Sequence, residues 1–366
     1  MEVASSTDES WWQQSLARSA YSTIAQSYRW SQAYLEALRD IPLYVIVRDR
    51  TDAVVAQLLL FVINEYERRM SPPYNRALRF LPSRLGVGTR LVWSYGPVIH
   101  VRSQATEILK VILETIERIA AGWKVAQVYG TTPPLDDRAE EYRRLYQASY
   151  RVQHWGTFVT DVTKGEDVIW DSFDNKTRND VRRAERNLTV IEVTDDDLLA
   201  KFALLAVRFN DVKRGKPGVD AALRYYRIFW KNLCETNDSL SVTKFFLAFE
   251  GQQARAGVML SSFNGNVTQH SVISDGSKGN LGGPLLTWHA IKWAHSQGLR
   301  TFDLVGVNPS PTSPEEKGIY FYKSRWAGAY RTQYNLIKVL EPFKAKIFAG
   351  YVKVQKGLWN FQGITP

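Results

Sequence analysis

The order of segments constrains this chain more than any single motif. Read along its 366 residues, the same series occurs twice: helices, a hairpin of strands, a helix, a strand. The first series holds a helix around Trp30–Arg39, then LYVIVRD from Leu43 and AVVAQLLLFV from Ala53, both rich in residues that favour pleated, buried backbone. LVWSYGPVI from Leu91 is a further strand, interrupted at Gly96-Pro97. From Ala105, Ile108, Val111, Ile112, Thr115, Ile116 and Ile119 recur at helical spacing up to Gly122. A strand KVAQVYG and a helix RAEEYRRLYQAS follow.

The second series opens at GTFVTDV. It continues through a charged helix, IWDSFDNKTRNDVRRAERN, the strand LTVIEVT and two helices separated by GKPG. Three strands with turn residues between them come next, then an amphipathic helix from Leu285, the strand TFDLVGV, an aromatic loop and a last strand near Thr332–Leu340. No sequence repeat accompanies the shared order. It predicts an α+β protein of two similar units, each a mixed, mostly antiparallel sheet flanked by helices. The expected division is 1–154 plus 331–366 for the first unit and 155–330 for the second. Residues 1–10 are polar and acidic and are expected to lack structure, and Tyr66–Thr89, basic and rich in Pro and Gly, reads as loop.

Composition narrows the class. One cysteine, Cys234, excludes an intramolecular disulfide framework, and five histidines without metal-ligand spacing give no expectation of a structural metal site. No basic segment precedes an apolar one at the N-terminus, and the longest apolar run is too short for a bilayer, so the expected location is cytoplasmic. The net charge of +10 points to a polyanionic partner or to a generally basic surface. From Lys317 onward nine Lys/Arg face one acid, Glu341. The C-terminal segment sets Phe343, Ile347, Tyr351, Val354 and Leu358 on one helical face with Lys344, Lys346, Lys353 and Lys356 off it. That pattern suits a helix packed on its domain or one lying on an anionic membrane.

Chemistry is expected near the end of the second series. Lys323 stands among Tyr320, Phe321, Tyr322 and Trp326, and an ammonium drawn into aromatic surroundings is costly unless its charge is used. The loop SDGSKGNLGGPLL before the Leu285 helix resembles the pyrophosphate loop of the GNAT acyltransferase fold, where helix N-terminal amides hold the phosphates of acyl-CoA. Gly282 matches the last glycine of that pattern, while Asn280 and Ser277 replace its other positions. No GxSxG elbow or GxxxxGK[ST] loop is present.

Four pieces in order, YRWSQAYLEAL with YGPVI, RNDVRRAERN, WHAIKWAHSQGLRTFDLVGV and GIYFYKSRWAG, resemble the Fem family, from about Tyr28 to Gly328. Those are aminoacyl-tRNA-dependent transferases built from two GNAT-like units that make peptidoglycan interpeptide bridges. The long coiled-coil arm of some members is absent here. The resemblance implies aminoacyl-tRNA as co-substrate with no further cofactor, and a diphosphate-containing or peptide acceptor. It gives Lys323 the task of holding an oxyanion and Asp303 that of orienting Lys323 or the amine. An acid satisfying backbone amides at a strand end is the equal alternative for Asp303. Gly306 is expected to permit close backbone approach. Arg208, Lys213 and Arg214 would clamp the acceptor, Tyr225 or Tyr226 would flank its sugar, and Phe321, Tyr322 and Trp326 would wall the lysine. Lys176, Arg178, Arg182, Arg183 and Arg186 are candidates for tRNA phosphates, or else a solvated helix face with local ion pairs. Thr268, Gln269, His270 and Ser271 stand where members of the family often carry tyrosines. The competing functions are a CoA-dependent GNAT-type N-acyltransferase and an RNA- or envelope-binding protein without activity.

Overall fold

In the computed structural model, which describes residues 2–65, 86–211, 219–235 and 240–350, a single thirteen-stranded sheet runs through both halves of the chain. The first half contains β1 (Glu2–Ala4), α1 (Glu9–Ala17), α2 (Tyr28–Leu38), β2 (Ile41–Arg48), β3 (Val54–Asn64), β4 (Thr89–Trp93), β5 (Val98–Ile99), α3 (Ala105–Gly122), β6 (Gln127–Thr131) and α4 (Ala139–Tyr146). The second contains β7 (Arg151–Asp161), α5 (Glu166–Asp171), α6 (Asn175–Glu185), β8 (Thr189–Glu192), α7 (Asp196–Asp211), α8 (Val219–Leu233), β9 (Ser241–Glu250), β10 (Gln253–Phe263), β11 (Asn266–Ser274), α9 (Gly282–Ser296), β12 (Thr301–Asp303), α10 (Pro314–Ser324) and β13 (Ala329–Val339). A final helix, α11, covers 342–350.

Each half is antiparallel except for one parallel pair, β4 with β6 and β11 with β12, and in each a helix (α3 or α9) makes the crossover. The last strand of the second half then returns to the first. β7, which opens the second half, pairs with β12 of the same half, whereas β13 leaves the second half and pairs with β6 of the first. β7 and β13 also pair with each other from Ala329↔Val159 to Ile337↔Arg151, which joins the two half-sheets.

The apolar strands read as continuous runs because both their faces are covered. Leu43, Val45 and Val47 of β2 turn toward the α3 side, while Tyr44 and Ile46 turn toward α1 and α2. The alternation repeats in β9, where Phe246 and Ala248 pack toward α9 and Phe245, Leu247 and Phe249 join the opposite layer. That layer is shared: Trp12, Trp30 and Phe61 of the first half lie in one core with Phe202, Phe229 and Phe263 of the second.

Two expectations change. The N-terminus is structured, because residues 2–4 add a strand to β2 and Asp8 caps α1 by accepting the Trp11 amide. The aromatic loop is instead the helix α10, started by a capping box between Ser313 and Glu316 with Pro314 in the first turn. In α11, Phe343 is 74% exposed and Ile347 39% exposed, so these two residues of the apolar face are open to solvent. Tyr66–Leu85, most of the expected first loop, and residues from Tyr351 onward lie outside the described residues. No helix among the described residues is long and apolar enough to cross a membrane.

Candidate active site

The strand β12 ends at Asp303, and the turn that follows is bound tightly to β7. Asp303 Oδ1 accepts the Val305 amide at 2.8 Å, closing a turn within the loop. Thr157 of β7 sets its hydroxyl 2.5 Å from the same carboxylate oxygen and 2.8 Å from the Val305 carbonyl. Val307 and Gly156 exchange backbone hydrogen bonds below it. Val305 has φ +56°, a left-handed conformation that a β-branched residue rarely adopts and that costs on the order of 1–3 kcal/mol. Gly306 is required by packing, since a Cβ there would lie 2.3 Å from Trp155 Nε1.

This turn supplies the seat for Lys323, on the last turn of α10. Its Nζ donates to the carbonyls of Val305 at 3.2 Å and Gly306 at 3.0 Å. An ammonium has three protons, and the third has no partner among the described residues. Burial lowers the lysine pKa to about 8, against the opposing pull of the Asp303 charge. Burial also raises the Asp303 carboxyl, while Thr157, the Val305 amide and Lys323 hold it back. Asp303 Oδ2 is buried without a direct hydrogen bond, and Tyr95, from the first half, interacts with this carboxylate. The backbone of Tyr95 is fixed by Thr131 Oγ1, which accepts its amide at 2.8 Å.

Tyr95 and Val305 also line a cavity of about 580 Å³ between the two halves. Five Trp and Tyr rings face it, Trp30, Tyr34, Tyr95, Tyr129 and Trp155, with the His270 imidazole. Trp30 stacks on His270 with centroids 4.6 Å apart, and the imidazole, held at 2.9 Å from Ser261 Oγ, is pushed by burial to a pKa of about 3 and is neutral. Thr268 Oγ1 and Gln333 Oε1, both on the lining, are buried with no partner among the described residues. Glu316 is the one formally charged residue on the described lining.

The residues singled out from sequence divide into groups. Asp303, Gly306 and Lys323 converge on the turn just described. Trp326 and Tyr322 do not wall the lysine. Trp326 is fully buried in the core under α9, and Tyr322 turns its hydroxyl away to Thr287 at 2.7 Å, packing edge-on against Trp326. Phe321 is 53% exposed on the outer side of α10. Arg208 is exposed on the last turn of α7 and does not line the cavity. Tyr225 packs on Phe229, which in turn touches Trp30 and Tyr34, so it supports the cavity wall from behind. Lys213 and Arg214 lie outside the described residues.

The basic helix α6 is partly committed to its own surroundings. Lys176 pairs with Asp180, Arg178 donates to Asn175 and to the Asp171 carbonyl, and Arg182 lies over the Trp170 ring. Arg183 and Arg186 have no ion pair among the described residues. Arg183 borders a small cleft with Arg255, Lys278 and Asn280. The loop before α9, beside this cleft, is closed on itself. Asp275 accepts from Ser277 and Asn280 and pairs with Arg255, and the Gly282 amide is already capped by Asn280 Oδ1 at 2.8 Å. One of the amides that a phosphate would use is therefore occupied.

Sequence reasoning missed Tyr95, Thr157, Trp155 and Glu316. The first three reach the site through long-range pairing that no local pattern encodes. Glu316 had a signal, the Ser-Pro-Glu-Glu start of α10.

Known proteins agree with this architecture. The model of an acetyltransferase (GNAT) domain family matches residues 175–324. No curated protein matches the sequence. Among solved structures, FemX is 15% identical, with 95% of this chain and 99% of that chain covered and a TM-score of 0.65. A conserved protein of unknown function from Bacteroides thetaiotaomicron is 10% identical over 89% of this chain and 96% of that one, with a TM-score of 0.54. A tandem GNAT protein from the clavulanic acid biosynthesis pathway is 11% identical over 83% and 85%, at 0.51. The chain has the GNAT fold twice in tandem. Its arrangement of the two units is that of FemX, along nearly the whole length of both chains.

Proposed function

We propose that the protein is an aminoacyltransferase that moves an amino acid from aminoacyl-tRNA to an amine and forms a peptide bond. One observation carries this reading: the ammonium of Lys323, clasped by two carbonyls with one donor spare, beside a cavity between two GNAT units. The fold shared with FemX supports it. An aminoacyl ester is already activated, so alignment and charge stabilisation suffice. The acceptor nitrogen attacks the ester carbonyl carbon and a C–N bond forms. Lys323 donates to the oxygen as it becomes anionic. The C–O bond to the ribose then breaks, and the proton given up by the amine ends on the ribose oxygen. A peptidoglycan precursor or a related peptide would be the acceptor, and no cofactor beyond the tRNA is needed. Work at the inner membrane surface fits the exposed Phe343 and Ile347 beside Lys344 and Lys346. A CoA donor is disfavoured by the Asn280 cap on Gly282.

The test compares charged tRNA with acetyl-CoA as donor, with and without RNase, in wild type and Lys323→Met. Wild type should transfer only from charged tRNA, and RNase should stop it. Lys323→Met should lose turnover by about 10²–10³, the range for removing one oxyanion donor, with the melting temperature kept. Full turnover in the variant, or transfer from acetyl-CoA alone, would overturn the reading.

A further inference from the structure

Two residues in the left-handed region stand where the two halves meet. Val305 follows β12 in the second half, and Tyr95, at φ +54°, follows β4 in the first. Such a conformation is unfavourable for a tyrosine and persists only where its surroundings fix it. Here they do so on both sides of the residue. Thr131 Oγ1 accepts the Tyr95 amide, the Ser94 carbonyl accepts Gln26 Nε2 at 2.7 Å, and the Gly96 amide donates to the Thr131 carbonyl at 3.1 Å. All of these anchors belong to the first half, so the first half aims the ring.

The ring reaches Asp303 of the second half. That carboxylate is buried, and its own half supplies donors to one oxygen only. The Thr157 hydroxyl and the Val305 amide both go to Oδ1, while Oδ2 receives no direct hydrogen bond. The Tyr95 hydroxyl acts on the carboxylate from across the boundary as a donor that favours its charged form. Burial, and then the Asp303 charge, raise the phenol pKa well above the ordinary 10, so the hydroxyl keeps its proton. Among the described residues, Asp303 is the one titratable group whose charge favours the ammonium of Lys323 against its burial. Glu316, Tyr320 and Arg325 on α10, Tyr330 on β13, Tyr129 on β6 and the neutral His270 on β11 exert no such pull on it.

We infer that Tyr95 is a positioning residue of the transfer reaction: reaching across from the first unit, it steadies the Asp303 carboxylate in its charged form, and Asp303 in turn keeps Lys323 an ammonium on its two carbonyls. The link to turnover rests on the aminoacyltransferase reading; the state of Lys323 is measured without it. The first unit thereby takes part in the chemistry as well as shaping the cavity, because the second unit alone serves one oxygen of Asp303.

Nuclear magnetic resonance on the full chain with isotope-labelled lysine follows the Lys323 Cε resonance, assigned by its loss in Lys323→Met, as pH is raised. In the wild type it should titrate near a pH of about 8. Tyr95→Phe keeps the ring and removes the hydroxyl. The buried carboxylate then protonates more readily, Lys323 loses its counter-charge, and its titration should move about one pH unit lower. Turnover from charged tRNA should follow. The variant should be slowed less than about twofold near pH ~6.5, where both lysines are charged, and about fivefold near pH ~8, with the KM for tRNA unchanged. Asp303→Asn should lower the Lys323 titration by itself, and adding Tyr95→Phe to it should lower it no further, as a tyrosine acting through Asp303 requires. A fluorinated tyrosine at position 95, a stronger donor of nearly the same shape, should raise the titration, and it decides the matter where Tyr95→Phe does not fold. A Lys323 titration that these changes at position 95 leave unmoved, or a loss of turnover of the same size at both pH values, would overturn the inference and leave the transferase reading standing. The expected shift of Lys323 in a protein that transfers nothing from charged tRNA would keep the linkage from Tyr95 to Lys323 and remove the transferase reading.

Discussion

The two halves contain corresponding turns after their parallel strands, and they have been put to opposite uses. In the first half, the turn after β6 carries Asp136, whose side chain is fully buried. Arg138 grips it from Nε to Oδ1 at 2.9 Å and from Nη2 to Oδ2 at 2.6 Å, and the Tyr142 hydroxyl donates to Oδ2 at 2.9 Å. Both carboxylate oxygens are satisfied, and what is left unpaired lies on the other side, at Arg138 Nη1 and the buried hydroxyls of Tyr146 and Tyr150. In the second half, β12 ends at Asp303, equally buried, with Tyr95 beside its carboxylate, Oδ2 lacking a direct hydrogen bond and a lysine nearby with a spare proton. A closed polar network holds a fold together. An open one, placed at a cavity, retains capacity for a reacting group.

The comparison breaks most visibly at the closed turn. Asp136→Ala would strand the Arg138 guanidinium in the core, and losing one partner of a buried pair costs about 3–5 kcal/mol. Urea unfolding should show that loss as a lower midpoint with the slope unchanged, while turnover of the protein that remains folded stays near wild type. A collapse of turnover at full stability would mean that the first turn also serves chemistry.

The open turn should answer to pH instead. Lys323 has a folded pKa of about 8, lowered by burial from the ordinary 10.5. It is charged below that pH and neutral above it, so transfer should fall as pH rises through about 8. The same depression makes the folded state bind its proton less tightly than the unfolded one. Its penalty on stability is therefore present at neutral pH and relieved between about 8 and 10.5. Lys323→Arg keeps a charge at every pH and should remove the falling limb whatever its own rate. A limb that persists in the arginine variant would assign it to another group.

Both turns were partly legible in the sequence, for different reasons. The strands announced themselves through β-branched and aromatic runs, and Lys323 stood out because its charge conflicted with its neighbours. Residue type did not say which side of a helix faced the cavity. Trp326 and Tyr322 have the right chemistry for a wall, yet α10 turns them into the core and leaves Lys323 on the turn at Val305. The aromatic residues of GIYFYKSRWAG carry no helical signal of their own; the capping box before them defines α10 as a helix. The expected division already grouped 331–366 with the first unit, but the pairing of β13 with β7 was beyond local reading, because strand partners far apart in sequence are chosen by the whole sheet. That pairing brings Trp155 and Gln333 to the same cavity.

The smallest expected effect concerns how each half meets a polyanion. Among the five basic residues of the α6 region, Lys176, Arg178 and Arg182 have partners within the protein, which leaves Arg183 and Arg186 able to exchange counterions for phosphates. If the second half carries the tRNA, the double variant Arg183→Ala, Arg186→Ala should weaken tRNA binding by several-fold and reduce the slope of log affinity against log salt by about one to two. Lys176→Ala should change that slope little, since Asp180 already neutralises the lysine and its removal frees the acid to pair more fully with Arg325 at 3.2 Å. An exposed arginine pair at this position contributes steering more than affinity, so the effect should be largest at low salt and nearly gone where the Debye length falls to about 3 Å. Equal slopes in all three proteins would move the proposed tRNA surface away from α6, while leaving the open turn at Asp303 and Lys323 as the proposed site of transfer.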